Sequence, residues 1–183
     1  DGKEMAIRVP SPGRHMIYNA LAAIAAGLAL HMEPEEIAKG IARYTPVSGR
    51  MCIEKANGLT VLNDVYNANP GSMKAAIDVL SYTKGRKVCV LGDMFELGDK
   101  AEEYHQQVGS YAAEKGIDEI LCVGELAKGI YDGARKRCGH ASYFETQDEL
   151  LEKIAGHIHN GDTVLVKASR GMKLEKTVEY LLR

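Results

Sequence analysis

Apolar side chains at Ile17, Leu21, Ile24 and Leu28 recur every three or four positions, which draws one stripe down a helix spanning residues 15–30. Pro34, followed by Glu35 and Glu36, predicts the first turn of a second, short helix. Proline suits the first helical position, and acids suit the positive end of the helix dipole. The stretch from Tyr44 to Gly49 (YTPVSG) then breaks the period, and the rhythm changes beyond it. Two β-like runs, MCIEKA and LTVLND, flank Asn57-Gly58, the dipeptide best suited to the two positive φ angles of a type I′ hairpin turn. Apolar strands at 88–91, 119–123, 142–144 and 163–166 follow, alternating with helical patterns near 70–82, 100–115, 125–138, 147–158 and 172–182. Gly85, Gly116, Gly139 and Gly161 stand where helices should stop, and Pro70 stands at a first helical position. Asp99 and Thr146, with Glu102 and Glu149 three residues on, are N-cap candidates. A helix between successive strands forces parallel pairing through a crossover. Residues 50–183 are therefore expected to form a three-layer α/β sandwich with a mostly parallel sheet that opens on a β-hairpin, behind a short helical segment.

The composition adds boundaries. The 183 residues, 45 % hydrophobic and 26 % charged, suffice for one domain plus an appendage and exclude a disordered chain. Lys and Arg total 23 against 25 Asp and Glu, and the net charge of -2 removes the electrostatic reason to expect nucleic acid or an anionic membrane as partner. Cys52, Cys89, Cys122 and Cys138 form no C-x-x-C pair and no zinc-type cluster, so no metal site is expected and the thiols read as small buried hydrophobes. Reduced thiols fit a cytoplasmic protein. Asn19 to Leu30 is too short and alanine-rich to span a membrane. His157 and His159 read as surface residues near a helix end.

In an open parallel sheet, ligands bind outside the carboxyl ends of the strands, so the residues after each strand carry the candidate chemistry. Here they are polar: Asp64, Tyr66, Asn67 and Asn69 after the hairpin, then Asp93, Glu96 and Asp99, then Glu125, and finally Lys167, Ser169, Arg170 and Lys173. Asp64 closes a strand and is followed by hydrogen-bonding side chains. Ser169-Arg170-Gly171, placed between a strand and a helix start, suits a carboxylate or phosphate. Asn69, before Pro70, can equally be a helix cap. There is no G-x-x-x-x-G-K-[ST] loop, no G-x-G-x-x-G after a strand and no G-x-S-x-G elbow, so a self-contained ATPase, dehydrogenase or serine hydrolase is not supported.

Five segments give the chain a specific likeness: GRHMIYNALAA (13–23), SGRM (48–51), LNDVYNANPGSMKAA (62–76), LGDMFELGDKAEEYHQQVG (91–109) and VLVKASRGMKLE (164–175). By these strings the chain resembles the C-terminal part of the Mur ligases, and most closely the branch that joins D-alanyl-D-alanine to UDP-MurNAc-tripeptide in peptidoglycan precursor synthesis. The resemblance implies that residues 1–46 are the helical tail of a central ATPase domain, 47–49 a linker, and 50–183 a Rossmann-like C-terminal domain that receives the incoming amino acid or dipeptide. It implies ATP and magnesium as cofactors, with the metal ligands in the absent part of the central domain, and a reaction through an acyl phosphate. Asn19 would lie near adenine, Arg50 would reach the terminal phosphate and Asp64 would bind the ribose. The dipeptide is expected near Asn67, Asn69, Asp93, Ser169 and Arg170, with Arg170 on its carboxylate. The family string G-x-H-N-x-x-N departs here, Met16 standing for its first asparagine, so adenine contacts are expected to be thinner.

On this reading the chain is the carboxyl end of a larger ligase, inactive alone, whose remaining domains are its partners. Two other readings are a glutamate-adding ligase of the same superfamily and a stand-alone α/β anion-binding module. Asp64→Ala and Arg50→Ala are both expected to lower turnover without unfolding the domain.

Overall fold

The structure, a computed structural model, describes residues 4–183. The chain divides into two compact units, Asp1–Val47 and Ser48–Arg183. The first holds α1 (Arg14–Ala29) and α2 (Pro34–Ala42), the latter with Pro34 in its first turn beside Glu35 and Glu36. Ala20, Gly27 and Ile37 are its buried helical residues, and a Cβ on Gly27 would stand 2.8 Å from Ile37 Cδ1. The apolar stripe itself points outward. Ile17, Leu21 and Leu28 remain 54, 53 and 51 % exposed.

The second unit opens with β1 (Cys52–Ala56) and β2 (Leu59–Asn63), an antiparallel hairpin. Its turn has φ 50° at Asn57 and 74° at Gly58, the two left-handed residues a type I′ turn demands. Then follow α3 (Pro70–Ser81), β3 (Lys87–Gly92), α4 (Ala101–Glu114), β4 (Glu119–Val123), α5 (Ala127–Ala134), β5 (Ala141–Phe144), α6 (Gln147–Lys153), β6 (Thr163–Lys167) and α7 (Glu175–Leu182). The sheet order is β1-β2-β6-β3-β4-β5, with every pair after the hairpin parallel.

Alternation along each strand splits the core in two. Cys89, Leu91, Ile120, Cys122 and Leu165 face a cluster with Met73, Ile77, Leu80, Val108, Ala112 and Ile130 of α3, α4 and α5. Val88, Val90, Leu121, Val123, Val164 and Val166 face Leu150 of α6, Ile154, and Leu174, Val178 and Leu181 on the other side. Both faces of the sheet are covered, which is why the central strands read as unbroken apolar runs. The expected three-layer α/β sandwich is the fold found.

Several local expectations change. Asp99 lies within a 3₁₀ turn, Gly98–Lys100, and α4 starts after it at Ala101 with no side-chain cap. The helix expected over 125–138 stops at Ala134, well short of Gly139, because Arg137 and Cys138 both turn their N–H groups back onto Ala134 O. The helix expected over 147–158 ends at Lys153 and passes into a 3₁₀ turn, Ile154–Gly156. That turn swings His157 inward, where Nδ1 lies 2.9 Å from Glu119 Oε1 and the ring meets Phe144 edge-on. His157 is thus half-buried in an ion-pair cluster, while His159 is exposed as expected. Glu119 also accepts from Arg86, whose other arm binds Asp162 at 2.7 Å, so the cluster fastens the starts of β4 and β6 at the edge opposite the candidate site.

Candidate functional site

Because β2, β6 and β3 are neighbours in the sheet, their three following loops meet at one rim. The loop after β2 is drawn to β6: Asp64 N donates to Val166 O, and Lys167, the last residue of β6, reaches back with Nζ to Asp64 Oδ2 at 2.5 Å and Asn67 O at 2.9 Å. Lys167 is only 2 % exposed, and burial pulls its ammonium below the ordinary lysine range while the Asp64 carboxylate opposes that shift. Asp64 Oδ1 accepts from Met51 N at 3.0 Å. One carboxylate therefore ties the segment before β1 to the ends of β2 and β6.

That tie places Arg50. Gly49 has φ 73° and Met51 φ 51°, and Gly49 O accepts from Tyr66 N at 2.9 Å. A Cβ on Gly49 would crowd Tyr66 N at 3.3 Å, on top of the strained backbone angle. Held between these bonds, Arg50 lays its guanidinium 3.9 Å from the centroid of the Tyr66 ring. The Arg170 guanidinium lies 4.8 Å from the same centroid. Both arginines are exposed, and among the described residues neither is ion-paired with a carboxylate.

The remaining candidates hold the rim together. Ser169 is buried. Its N–H donates to Asp93 O at 2.9 Å, its Oγ accepts from Phe95 N at 2.9 Å, and the hydroxyl points to Ala68 O at 3.4 Å, so it links all three loops. Asp93 is also buried and turns away along the sheet, where Oδ1 accepts from Ala127 N at 2.7 Å and starts α5. Asn69 forms a reciprocal capping box with Ser72 at the head of α3, and Asn67 Oδ1 accepts from Ala68 N at 2.8 Å. Asn67 and Asn69 are nonetheless exposed at the rim. Ser169-Arg170-Gly171 does not open an α-helix: a 3₁₀ turn covers Arg170–Met172, Lys173 has φ 51°, and α7 begins at Glu175. The guanidinium, rather than a helix terminus, supplies positive charge there. Asn19 lies in α1, in the other unit, with Nδ2 3.5 Å from Met16 Sδ.

Two further contributors are Lys167, which the sequence offers only as one of several polar residues after a strand, and His105, to which the sequence assigns no role. Lys167 ends an apolar run, a position where a lysine reads as solvated, yet the lone cation closing a central strand next to a strand-ending aspartate was a usable signal. His105 is fully buried in α4: Nε2 accepts from Met94 N at 2.9 Å and Nδ1 donates to Ala101 O at 2.6 Å. The imidazole is thereby the neutral Nδ1–H tautomer and pins the loop after β3.

Burial pushes the Asp93 carboxyl above its ordinary value near 3.8, against the opposing pull of the Ala127 N–H. The folded state therefore holds this proton more tightly than the unfolded chain. The stability tied to it is complete below the ordinary value and is lost as pH rises through the raised one. Thermal unfolding of Asp93→Asn should thus give a midpoint that gains on the wild type as pH rises from about 4. Parallel curves would refute the assignment.

A family profile described as "Mur ligase, glutamate ligase domain" matches residues 49–170. The UDP-N-acetylmuramoyl-tripeptide–D-alanyl-D-alanine ligase of Bacillus subtilis (strain 168) is 39 % identical over 186 residues, covering 99 % of this chain and 41 % of that protein. Its counterpart in Escherichia coli (strain K12) is 38 % identical, covering 96 % and 38 %. A crystal structure of MurF from Acinetobacter baumannii superposes with a TM-score of 0.87 at 35 % identity, over 96 % of this chain and 39 % of that one. The chain spans about two-fifths of the length of these relatives. The profile covers most of the second unit, including the β2, β6 and β3 ends and the loops that hold Arg50, Asp64 and Arg170, and so the chain belongs to the Mur ligase family.

Proposed function

We propose that this chain is the carboxyl part of a peptidoglycan-precursor ligase that adds D-alanyl-D-alanine to UDP-MurNAc-tripeptide, supplying the dipeptide side and part of the ATP site. The observation that carries this reading is the pair of exposed guanidinium groups, Arg50 and Arg170, brought to one rim and, among the described residues, ion-paired with no carboxylate. Such a pair is built for anions. The likeness to the D-alanyl-D-alanine ligases supplies the chemical class.

When bound, ATP would supply the phosphoryl group that turns the acceptor carboxylate into an acyl phosphate, leaving ADP, and attack by the dipeptide amine would form the amide and expel phosphate. Arg50 fits the terminal phosphate and stabilises charge that grows there during transfer. Arg170 fits the dipeptide carboxylate, whose capture orients the amine. Asp64 has both oxygens engaged, yet each keeps a second lone pair with which to accept a ribose hydroxyl. Asn67 and Asn69 present amides at the rim, while Asp93 and Ser169 act by holding its loops in register. Asn19 is assigned to adenine. Magnesium ligation is assigned to the rest of the ligase, as the family likeness implies. The outward stripe of Ile17, Leu21 and Leu28 supports the reading as part of a larger ligase, being an apolar surface for a neighbouring domain to cover. Among the described residues no helix is long and apolar enough to cross a membrane.

The test is phosphate release by the full-length ligase. Arg50→Ala should raise KM for ATP and Arg170→Ala should raise KM for D-alanyl-D-alanine, each cutting kcat/KM about 100-fold. The isolated 183-residue chain should release none. Unchanged kinetics in both variants sink the reading, and calorimetric preference for glutamate over the dipeptide moves it to the glutamate-adding branch.

A further inference from the structure

Tyr66 is a neutral group that both exposed arginines touch. Its ring receives the Arg50 guanidinium at 3.9 Å and that of Arg170 at 4.8 Å, so the two guanidinium carbons can be no farther apart than those two distances laid end to end. These cations come from distant parts of the chain: Arg50 from the segment before β1, Arg170 from the turn after β6. Left in water, two long like-charged side chains would separate and sample many rotamers. An aromatic face counters both tendencies, because its quadrupole attracts each cation while its flat surface fixes the guanidinium plane. The backbone that carries the ring is held: Tyr66 N donates to Gly49 O at 2.9 Å, and Val65 and Ala68 on either side are buried at 2 and 4 % exposure.

We infer that Tyr66 is a positioning residue that presents Arg50 and Arg170 together, so that a single aromatic ring sets affinity for both the nucleotide and the incoming dipeptide. The inference rests on the roles proposed above for the two arginines. Tyr66 touches neither reacting group. It acts by keeping each guanidinium extended over the rim with its N–H edge free.

In the full-length ligase, Tyr66→Leu should raise KM for ATP and KM for D-alanyl-D-alanine together, each about fivefold, with a smaller change in kcat. Tyr66→Phe, which keeps the ring face, should stay within twofold of wild type on both. Once the ring is gone, Arg170→Ala should add less to the dipeptide KM than it does in the wild-type background. Tyr66→Met serves as a second ringless variant should Tyr66→Leu fail to fold. If a folded ringless variant leaves either KM within twofold while Arg50→Ala and Arg170→Ala still raise theirs, the positioning role is wrong and the arginine assignments stand. If both arginine variants keep wild-type KM values, the assignments fail and the role of Tyr66 fails with them. A drop in kcat alone, with both KM values intact, also overturns it.

Discussion

Gly109→Ala should unfold this domain at a midpoint about 10 °C below wild type, even though alanine is the better helix former by ~1 kcal/mol. The reason is the seam between α4 and α5. A Cβ on Gly109 would stand 1.8 Å from Ile130 O, and one on Gly133 would stand 2.1 Å from Gln106 O. Both obstacles are backbone atoms, so no side chain can swing aside, and the helices must part by roughly 1.5 Å to regain van der Waals contact. Parting opens the core around Val108, Ala112, Ile130 and Ala134, all fully buried. Overpacking of this kind costs about 3 kcal/mol or more, which exceeds the helical gain. Differential scanning calorimetry of the 183-residue chain reads the sign directly. A midpoint at or above wild type would show that the two helices do not pack backbone to backbone.

Asp64→Ala should be at least as costly, and for an electrostatic reason. The substitution leaves the Lys167 ammonium buried with Asn67 O as its remaining partner and frees Met51 N, the anchor next to Arg50. Breaking one side of a buried pair costs about 3–5 kcal/mol, because the uncompensated charge stays inside. Replacing both members, as in Asp64→Leu with Lys167→Met, should recover most of that loss, since the desolvation cost disappears along with the attraction. Equilibrium urea unfolding of the single and double variants separates these terms. A single variant as stable as wild type would mean that Lys167 finds water or neutralises at little cost. The sequence reading expected Asp64→Ala to affect turnover without unfolding the domain. The buried ion pair argues against that expectation, so lost activity in this variant has to be corrected for lost fold before it is ascribed to the nucleotide.

Much of the layout was legible from local rules. The Asn57-Gly58 turn, the Pro70 helix start, the Thr146 cap and the switch from helical to strand periodicity after YTPVSG all depend on neighbours a few residues away. Thr146 Oγ1 does accept from Glu149 N at 3.2 Å. Asp99 failed because a cap needs a particular backbone angle at the turn, and Gly98 and Asp99 coil into a 3₁₀ turn before α4 begins. The α4–α5 seam carried a faint signal in Gly129-x-x-x-Gly133, the spacing that puts two small residues on one helix face, but nothing local says what that face meets.

The sequence by itself determined the order and type of elements, the apolar runs of a doubly covered parallel sheet, and which loops carry polar chemistry. These follow from periodicity and turn geometry, which are short-range. Only the tertiary structure decided that β6 inserts between β2 and β3, and every decisive feature of the site comes from that insertion. It sets Lys167 beside Asp64 across 103 positions, puts Ser169 between Ala68 and Phe95, and lays Arg170 on the ring that Arg50 already covers. Strand order is fixed by burial summed over the whole core, a quantity that no window of neighbouring residues contains.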